Sequence, residues 1–123
     1  MANKLGKLRV VHSKAVLLQR VTWCDTFGGK LLGLMFRKSL GDSEGLLMVE
    51  PRSSKVNTSI HMLFMNFAIA TVWLDNNLRV VDKVLAKPWR LAYVPAKPAM
   101  YTLEARPEIL DKIEIGDQLA FES

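Results

Sequence analysis

Hydrophobic and polar positions alternate along much of this chain, and the densest apolar run occupies residues 59–75, SIHMLFMNFAIATVWLD. Over residues 60–65, large apolar side chains fall on both faces of an extended chain, which is typical of a strand covered on both sides. Residues 69–74 are rich in β-branched and aromatic types, which favour a pleated surface. We therefore predict two strands joined by a kink near Asn66, with the rest of the chain packed around them.

A membrane-spanning helix is the main competing interpretation of this run. The uncharged stretch 60–74 is 15 residues long and contains His61 and Asn66, whereas a spanning helix needs about 20 predominantly apolar residues. We therefore predict that the chain has no membrane span.

Shorter alternating segments and turn residues predict the remaining elements. Asp75, Asn76 and Asn77 tolerate positive φ and mark a tight hairpin turn between 72–75 and 78–81. Pro51 lacks an N–H, so we expect it to end the strand at 46–50. Further strands are predicted at 8–12, 15–23, 100–105 and 118–122, and short helices within 26–37 and at 107–112. The pattern indicates a mainly β fold, a compact antiparallel β sandwich or barrel with one or two short helices.

Residues 85–100, LAKPWRLAYVPAKPAM, include three prolines and are predicted to cross the surface as a loop. We expect Trp89 or Tyr93 to pin this loop to the core. Aromatic side chains on a surface loop are also natural contacts for a partner. Trp89 and Tyr93 are therefore candidate interaction residues.

Length and composition indicate one globular domain. The chain has 123 residues, 50% hydrophobic and 24% charged, which suffices for a buried core without metals or disulfides. The single cysteine, Cys24, excludes an internal disulfide, and the sequence has no Cys/His cluster typical of a zinc site. We therefore expect no metal or cofactor, and a reducing compartment, the cytoplasm.

The net charge of +5 comes from the amino-terminal end, because residues 1–20 contain five basic residues and no acid while the rest is balanced. This pattern predicts a basic arm at 1–7 and a single β-rich domain at 8–123. A secretory signal requires an unbroken apolar stretch after its basic residues, and none follows the arm. The arm could contact a polyanion, but solvated lysines explain it more simply. Aromatic residues are not interleaved with the arm's charges, which argues against nucleic-acid binding.

Six segments of the chain together resemble a known family. They are GLMFR (33–37), GLLMVE (45–50), IHMLFM (60–65), VWLD with RVVD (72–82), YTLEA (101–105) and GDQLAF (116–121). Their order and spacing are similar to those of the domain of unknown function numbered 192, a bacterial and archaeal family, over residues 8–122. The resemblance implies a compact, largely antiparallel β fold with short helices and no established biochemical activity.

The chain departs from the family pattern in two places. The family tends to have an acidic residue just before the hairpin strand, where this chain has Ala68, Ile69 and Ala70. It also has a glycine after the YxLE strand, which Arg106 and Pro107 replace here. Any role that depends on that acidic residue is in doubt for this chain.

Four polar residues stand within apolar segments that match the family: Arg37, His61, Asn66 and Glu104. An Arg/His/Glu set can bind an anion or, with a histidine near neutral pKa, carry out acid/base chemistry. The same residues can instead satisfy one another at the edge of the core, in which case His61 is expected to be buried and hydrogen-bonded. The sequence favours this second, structural interpretation, because no nucleophile, metal-ligand set or second catalytic carboxylate occurs at a telling spacing.

Two classes of function remain. The first, which the sequence favours, is a non-catalytic module that binds a small ligand or a protein partner. The alternative is a small enzyme that uses His61 with Arg37 and Glu104 as acid/base or anion-binding groups. Convergence of these three side chains on one concave surface would favour the enzyme. The identity of the ligand or partner and the oligomeric state stay open.

Overall fold

A computed structural model describes residues 4–25, 34, 38–62, 64–90 and 92–123 of the chain. These residues form β1 (Lys4–Val10), β2 (Val16–Cys24), β3 (Glu44–Ser54), β4 (Ile69–Leu74), β5 (Val80–Ala86), β6 (Ala99–Ala105), a 3-10 helix (Pro107–Asp111) and β7 (Leu119–Glu122). The mainly β fold class is confirmed. In this part of the chain no helix is long and apolar enough to cross a membrane.

The seven strands form one sheet in the order β5-β4-β6-β3-β2-β1-β7. Strands β2 and β3 run parallel, and the other neighbours are antiparallel. The two ends of the sheet approach each other where Arg79 bridges Gln118, so the sheet curls without closing. The fold is therefore a mixed, open, barrel-like sheet rather than a sandwich of two sheets.

The amino-terminal residues that the structure describes belong to this sheet. Lys4 pairs with Trp23 of β2, and Lys7 pairs with Glu122 of β7. Residues 4–7 of the expected basic arm therefore form the start of β1.

The main core lies on one face of the sheet and joins all seven strands to the 3-10 helix. On β4 its members are Ala70, Val72 and Leu74. Because side chains alternate between the two faces of a strand, the other three residues of β4 point to the opposite face. The main core consists of Leu8, Val10, Leu17, Leu18, Val21, Leu47, Val49, Ala70, Val72, Leu74, Val80, Tyr101, Leu103, Ala105, Ile109, Ile113 and Leu119.

A second core lies on that opposite face, over β3, β4, β5 and β6. It is built where segments from outside the sheet pack onto Ile69 and Trp73 of β4. Its members are Leu34, Leu40, Met48, Ile60, Met62, Met65, Ile69, Trp73, Ala86 and Ala99. We call this side of the sheet the covered face.

Only the second half of the apolar run 59–75 is a strand. Residues 69–74 form β4, as predicted, and the hairpin turn after it is confirmed, since Asp75 Oδ1 accepts hydrogen bonds from the amides of Asn77 and Arg79. The strand predicted over 60–65 is wrong. Ile60 makes a single bridge to Tyr93, and Phe64 has a φ of 63°, which no strand residue adopts.

Two other predictions need correction or fall outside the described residues. Strand β3 does not end at Pro51 but continues to Ser54. Its register against β6 shifts between Val49 and Ser54, so the residue without an N–H lies in the irregular part of the ladder, where proline is tolerated. The helix predicted within 26–37 lies outside the described residues, apart from Leu34, whereas the one predicted at 107–112 is the short 3-10 helix.

Candidate functional site

The structure describes three of the four polar residues that the sequence singled out, and it places them in different environments. Arg37 lies outside the described residues. His61 and Asn66 are exposed on residues 58–66, which pack over the second core and which we call the covering segment, whereas Glu104 is only 6% exposed. The described side chains therefore do not converge on one concave surface, and Glu104 is the one that the fold buries.

The expectation that His61 is buried was wrong for a local reason. Ile60 and Met62 point into the second core and are 8% and 1% exposed. Because successive side chains of an extended segment point to opposite sides, His61 between them faces away from the core. Its place in an apolar run reflects its neighbours and not its own environment.

Replacing His61 by alanine should therefore have little effect on stability. We expect the free energy of unfolding to change by no more than about 0.5 kcal/mol, as is usual for an exposed side chain. Urea denaturation of the variant beside the parent measures this. A loss of about 2 kcal/mol, typical of a buried hydrogen-bonded group, would show that the imidazole is structural after all.

Glu104 lies on the covered face directly opposite Thr71. The register of the sheet pairs Glu104 of β6 with Thr71 of β4 on one side and with Leu46 of β3 on the other. Directly opposite residues on antiparallel strands have Cβ atoms about 5 Å apart. The Glu104 carboxyl and the Thr71 hydroxyl are therefore neighbours on one face.

In the part of the chain that the structure describes, the two groups of this pair lie in an apolar environment. Thr71 is fully buried, and its Oγ1 atom has no hydrogen-bond partner there. Burial raises the pKa of the Glu104 carboxyl to about 7, and among the described residues no charge or hydrogen bond opposes that effect. Buried polar groups in proteins are almost always paired, so two such groups side by side are an exception that requires an explanation.

The polar groups next to this pair are satisfied. Trp73 Nε1 donates a hydrogen bond of 2.6 Å to the carbonyl oxygen of Thr58, and Thr102 Oγ1 donates to the same oxygen at 3.4 Å. Trp73 and Thr102 also lie on the covered face and form the next pair along β4 and β6, two residues from Thr71 and Glu104. The covering segment therefore meets the hydrogen-bonding needs of one row of side chains and not of the next.

The row that contains the pair becomes more accessible toward one side of the sheet. From β4 to β2 it consists of Thr71, Glu104, Leu46 and Thr22. Thr71 and Glu104 are buried, whereas Leu46 and Thr22 are half-buried. The polar pair thus lies at the closed end of a face that opens toward β2.

The pair can bind a hydrogen-bonding group and can exchange a proton near neutral pH. A carboxyl group with a pKa of about 7 is present in both protonation states at neutral pH, and such shifted groups are common at functional sites. Within the described residues, no group of three or more His, Cys, Asp or Glu side chains could hold a metal ion. The chemistry that the described site offers is therefore hydrogen bonding and proton exchange.

Thr71 was not predicted as a site residue, and Trp89 and Tyr93, which were predicted together, lie in different environments. A threonine inside an apolar run was a signal, but its partner became visible only with the pairing of β4 and β6. Trp89 is 57% exposed and does not pin the loop. Tyr93 is half-buried against the second core, and its hydroxyl accepts a hydrogen bond of 2.9 Å from the amide of Lys87.

Comparison with other proteins identifies relatives over nearly the whole chain. The chain is 40% identical over 114 residues to a UPF0127 protein of Pyrococcus furiosus, which covers 91% of this chain and 94% of that protein. It is 38% identical over 104 residues to a UPF0127 protein of Thermococcus kodakarensis, covering 83% of this chain but only 64% of that longer relative.

The fold is also similar to a solved structure. A protein of unknown function from Novosphingobium aromaticivorans superposes with a TM-score of 0.78 at 21% identity, covering 96% of this chain and 84% of that one. At this level of identity the similarity establishes the fold alone. Residues 9–121 match the family DUF192, described as Uncharacterized ACR, which is the family that the sequence segments resemble. The chain therefore belongs to the DUF192 family.

Proposed function

We propose that this chain is a non-catalytic module that binds a small ligand on the covered face, with Glu104 and Thr71 holding the ligand's polar group. The observation that supports this is the juxtaposition, among the described residues, of a buried hydroxyl without a hydrogen-bond partner and a carboxyl whose pKa is raised by burial. The apolar residues of the same face, Leu46 and Trp73, would contact the apolar part of the ligand. Apolar walls with a few convergent polar groups are typical of small-molecule sites.

Energetics support this proposal over a structural role for the pair. An unsatisfied buried hydroxyl costs about 1 to 3 kcal/mol, and a buried carboxyl must remain protonated or lose stability. A valine and a leucine would fill the same positions of the sheet without these costs. Residues that oppose stability in this way are expected where a site serves binding rather than folding.

The two side chains also indicate the chemistry of the ligand. A protonated carboxyl donates one hydrogen bond and accepts others, and a hydroxyl does the same. Their complement is a group that both donates and accepts, such as a primary carboxamide, a carboxylic acid or an alcohol. We therefore propose a ligand with one such group on an apolar body.

Thr71→Val tests this proposal, because a binding role and a structural role predict opposite effects on stability. We expect the variant to be more stable than the parent by about 1 kcal/mol, since it removes an unsatisfied hydroxyl at constant volume. We also expect it to bind apolar amides, acids and alcohols at least about tenfold more weakly, the loss of one hydrogen bond to a polar ligand. Denaturation and ligand-observed NMR with a fragment set measure the two quantities.

Two controls make the result decisive. Fragments with the same carbon skeletons but no polar group should bind parent and variant alike, and Thr22→Val changes a half-buried threonine of the same row without touching the pair. A Thr71→Val chain that is less stable than the parent and binds the polar fragments unchanged would overturn the proposal.

A second function is favoured by one observation, the pKa of about 7 at Glu104. A carboxyl group in this state is suited to general acid/base catalysis, so an enzyme with Glu104 as proton carrier is the alternative. His61 is exposed on the covering segment, which does not support its pairing with Glu104. Chemical change of a bound fragment over time, followed in the same NMR samples, would favour the enzyme. In either case the free, buried thiol of Cys24 supports a cytoplasmic location.

A further inference from the structure

We infer that the solvent-exposed side of the covering segment and of the neighbouring 87–98 loop is a docking surface for an acidic polypeptide segment that carries an apolar side chain. The surface is formed by Phe64 and Trp89, which we call the aromatic pair. The inference goes beyond the proposed ligand site, because the pair is exposed to solvent and does not line the covered face.

The aromatic pair is exposed and fixed in place. Phe64 is 44% and Trp89 57% exposed, and their ring centroids are 5.2 Å apart with an interplanar angle of 65°. The Trp89 amide donates a hydrogen bond of 2.6 Å to the Met62 carbonyl oxygen, and the Met62 amide donates one of 2.8 Å to the Arg90 carbonyl oxygen. Met62 itself is 1% exposed in the second core. The backbone that carries the rings is therefore held by hydrogen bonds to the buried residue Met62.

The backbone at both rings is strained. Phe64 and Trp89 have φ values of 63° and 68°, in a left-handed region that bulky side chains rarely adopt. Such conformations cost about 1 to 3 kcal/mol each and are concentrated at functional sites. Two exposed aromatic residues share this rare conformation and are in contact with each other. A role in binding a partner explains this arrangement better than a contribution to the stability of the fold.

The charge of the two segments that contain the pair favours an acidic partner. The segments 51–74 and 83–103 contain six Lys or Arg residues and no Asp or Glu. Lys83 donates hydrogen bonds to carbonyl groups at the 3-10 helix end of the molecule. The other five, Arg52, Lys55, Lys87, Arg90 and Lys97, are exposed, and none of them takes part in an ion pair between described residues.

Both acidic polypeptides and nucleic acids complement such a surface, and the ring geometry favours the former. Successive bases stack on parallel exposed ring faces, whereas these two rings are in contact and inclined at 65°, so they form a corner and not a stacking platform. A single apolar side chain can pack against the exposed faces of this corner, as aromatic and aliphatic anchors do in protein interfaces. Lys87 and Arg90, on either side of Trp89 in the chain, would contact flanking carboxylates.

A random library of short displayed peptides, selected on the full chain, tests this inference. We expect the recovered peptides to be enriched in Asp and Glu around a Leu, Phe or Trp, and to bind more weakly as salt increases. Their affinity, measured by fluorescence anisotropy with the synthetic peptides, should fall at least about tenfold with Trp89→Gly or Phe64→Gly, as for an interface anchor. Glycine removes the ring and also relieves the strained φ, so both variants should fold.

Val94→Ala is the matched control, because Val94 is also exposed on the 87–98 loop, at 57%, and is not part of the pair. Peptides that need Trp89 but show no acidic enrichment would overturn the inferred charge of the partner. Absence of enrichment, or binding unchanged in both glycine variants, would overturn the surface itself. Tighter, Trp89-dependent binding of an oligothymidylate than of any peptide would assign the surface to nucleic acid instead. None of these results bears on the Thr71→Val test of the ligand site.

Discussion

Glu104→Gln should be more stable than the parent at pH 8 and nearly equal to it at pH 4. The two side chains have the same size and shape, and at low pH both are uncharged. At high pH only the parent has to bury a carboxylate. The difference between the two free energies of unfolding should therefore grow with pH.

The sign and the size of this stability difference follow from the raised pKa of Glu104. Burial places the folded-state pKa of Glu104 at about 7, above its usual value of 4.5. Between these values the folded state holds a proton that the unfolded state has released, so the parent's stability is complete below about pH 4.5 and decreases as pH rises toward 7. The total loss that Glu104→Gln removes is about 3 kcal/mol. Urea denaturation at closely spaced pH values, on both proteins, measures it.

Glu108→Gln is the matched control for this experiment. Glu108 is exposed, and the Arg106 guanidinium that hydrogen-bonds to it at 2.8 Å lowers the pKa of its carboxyl. Its variant should not gain stability at high pH. If Glu104→Gln and the parent show parallel pH profiles, the Glu104 carboxyl is not held in an apolar environment and the proposed site loses its polar end.

Trp73→Ala should be the most destabilising single substitution discussed for the covered face. Trp73 is 1% exposed, packs in the second core and donates its Nε1–H to the Thr58 carbonyl oxygen. Truncation to alanine should cost about 3 to 5 kcal/mol, as is typical of a buried tryptophan. Trp73→Phe keeps most of the packing but leaves the Thr58 carbonyl without this donor, so we expect a loss of about 1 to 3 kcal/mol.

Trp89→Ala provides the comparison at a position where the same side chain is 57% exposed. It should cost far less than Trp73→Ala in the same denaturation experiment. Equal losses at the two positions would contradict the arrangement in which Trp73 connects the covering segment to the sheet and Trp89 lies outside it.

The hairpin β4–β5 and the strand β6 could be predicted from the sequence, because apolar alternation and strong turn residues coincide there. The segment 60–65 could not. Alternation reports which side chains are buried, and Ile60 and Met62 are indeed buried. It does not report backbone partners, which in this segment are the loop residues Tyr93 and Arg90. The alternation was therefore correct for Ile60 and Met62, but Phe64 and His61 are exposed, and the strand inferred from the pattern was wrong.

The candidate site shows the same division. Glu104 could be selected from the sequence, since a carboxylate is unusual within a largely apolar strand segment such as YTLEA. Thr71 could not, because its importance depends on the register of β4 against β6, a pairing between residues 33 positions apart in the chain. His61 was misplaced because its apolar neighbours in the sequence are on the other side of the segment. Trp89 could be named as a contact residue, but its positive φ and its contact with Phe64 are properties of the folded loops.

The most direct test of the proposed ligand site is a crystal structure of the chain with the tightest-binding polar fragment from the NMR set. We expect the polar group of the fragment to lie within hydrogen-bond distance of both the Glu104 carboxyl and Thr71 Oγ1, with its apolar part against Leu46 and Trp73. A fragment bound anywhere else, with Glu104 and Thr71 unchanged, would contradict the proposed site.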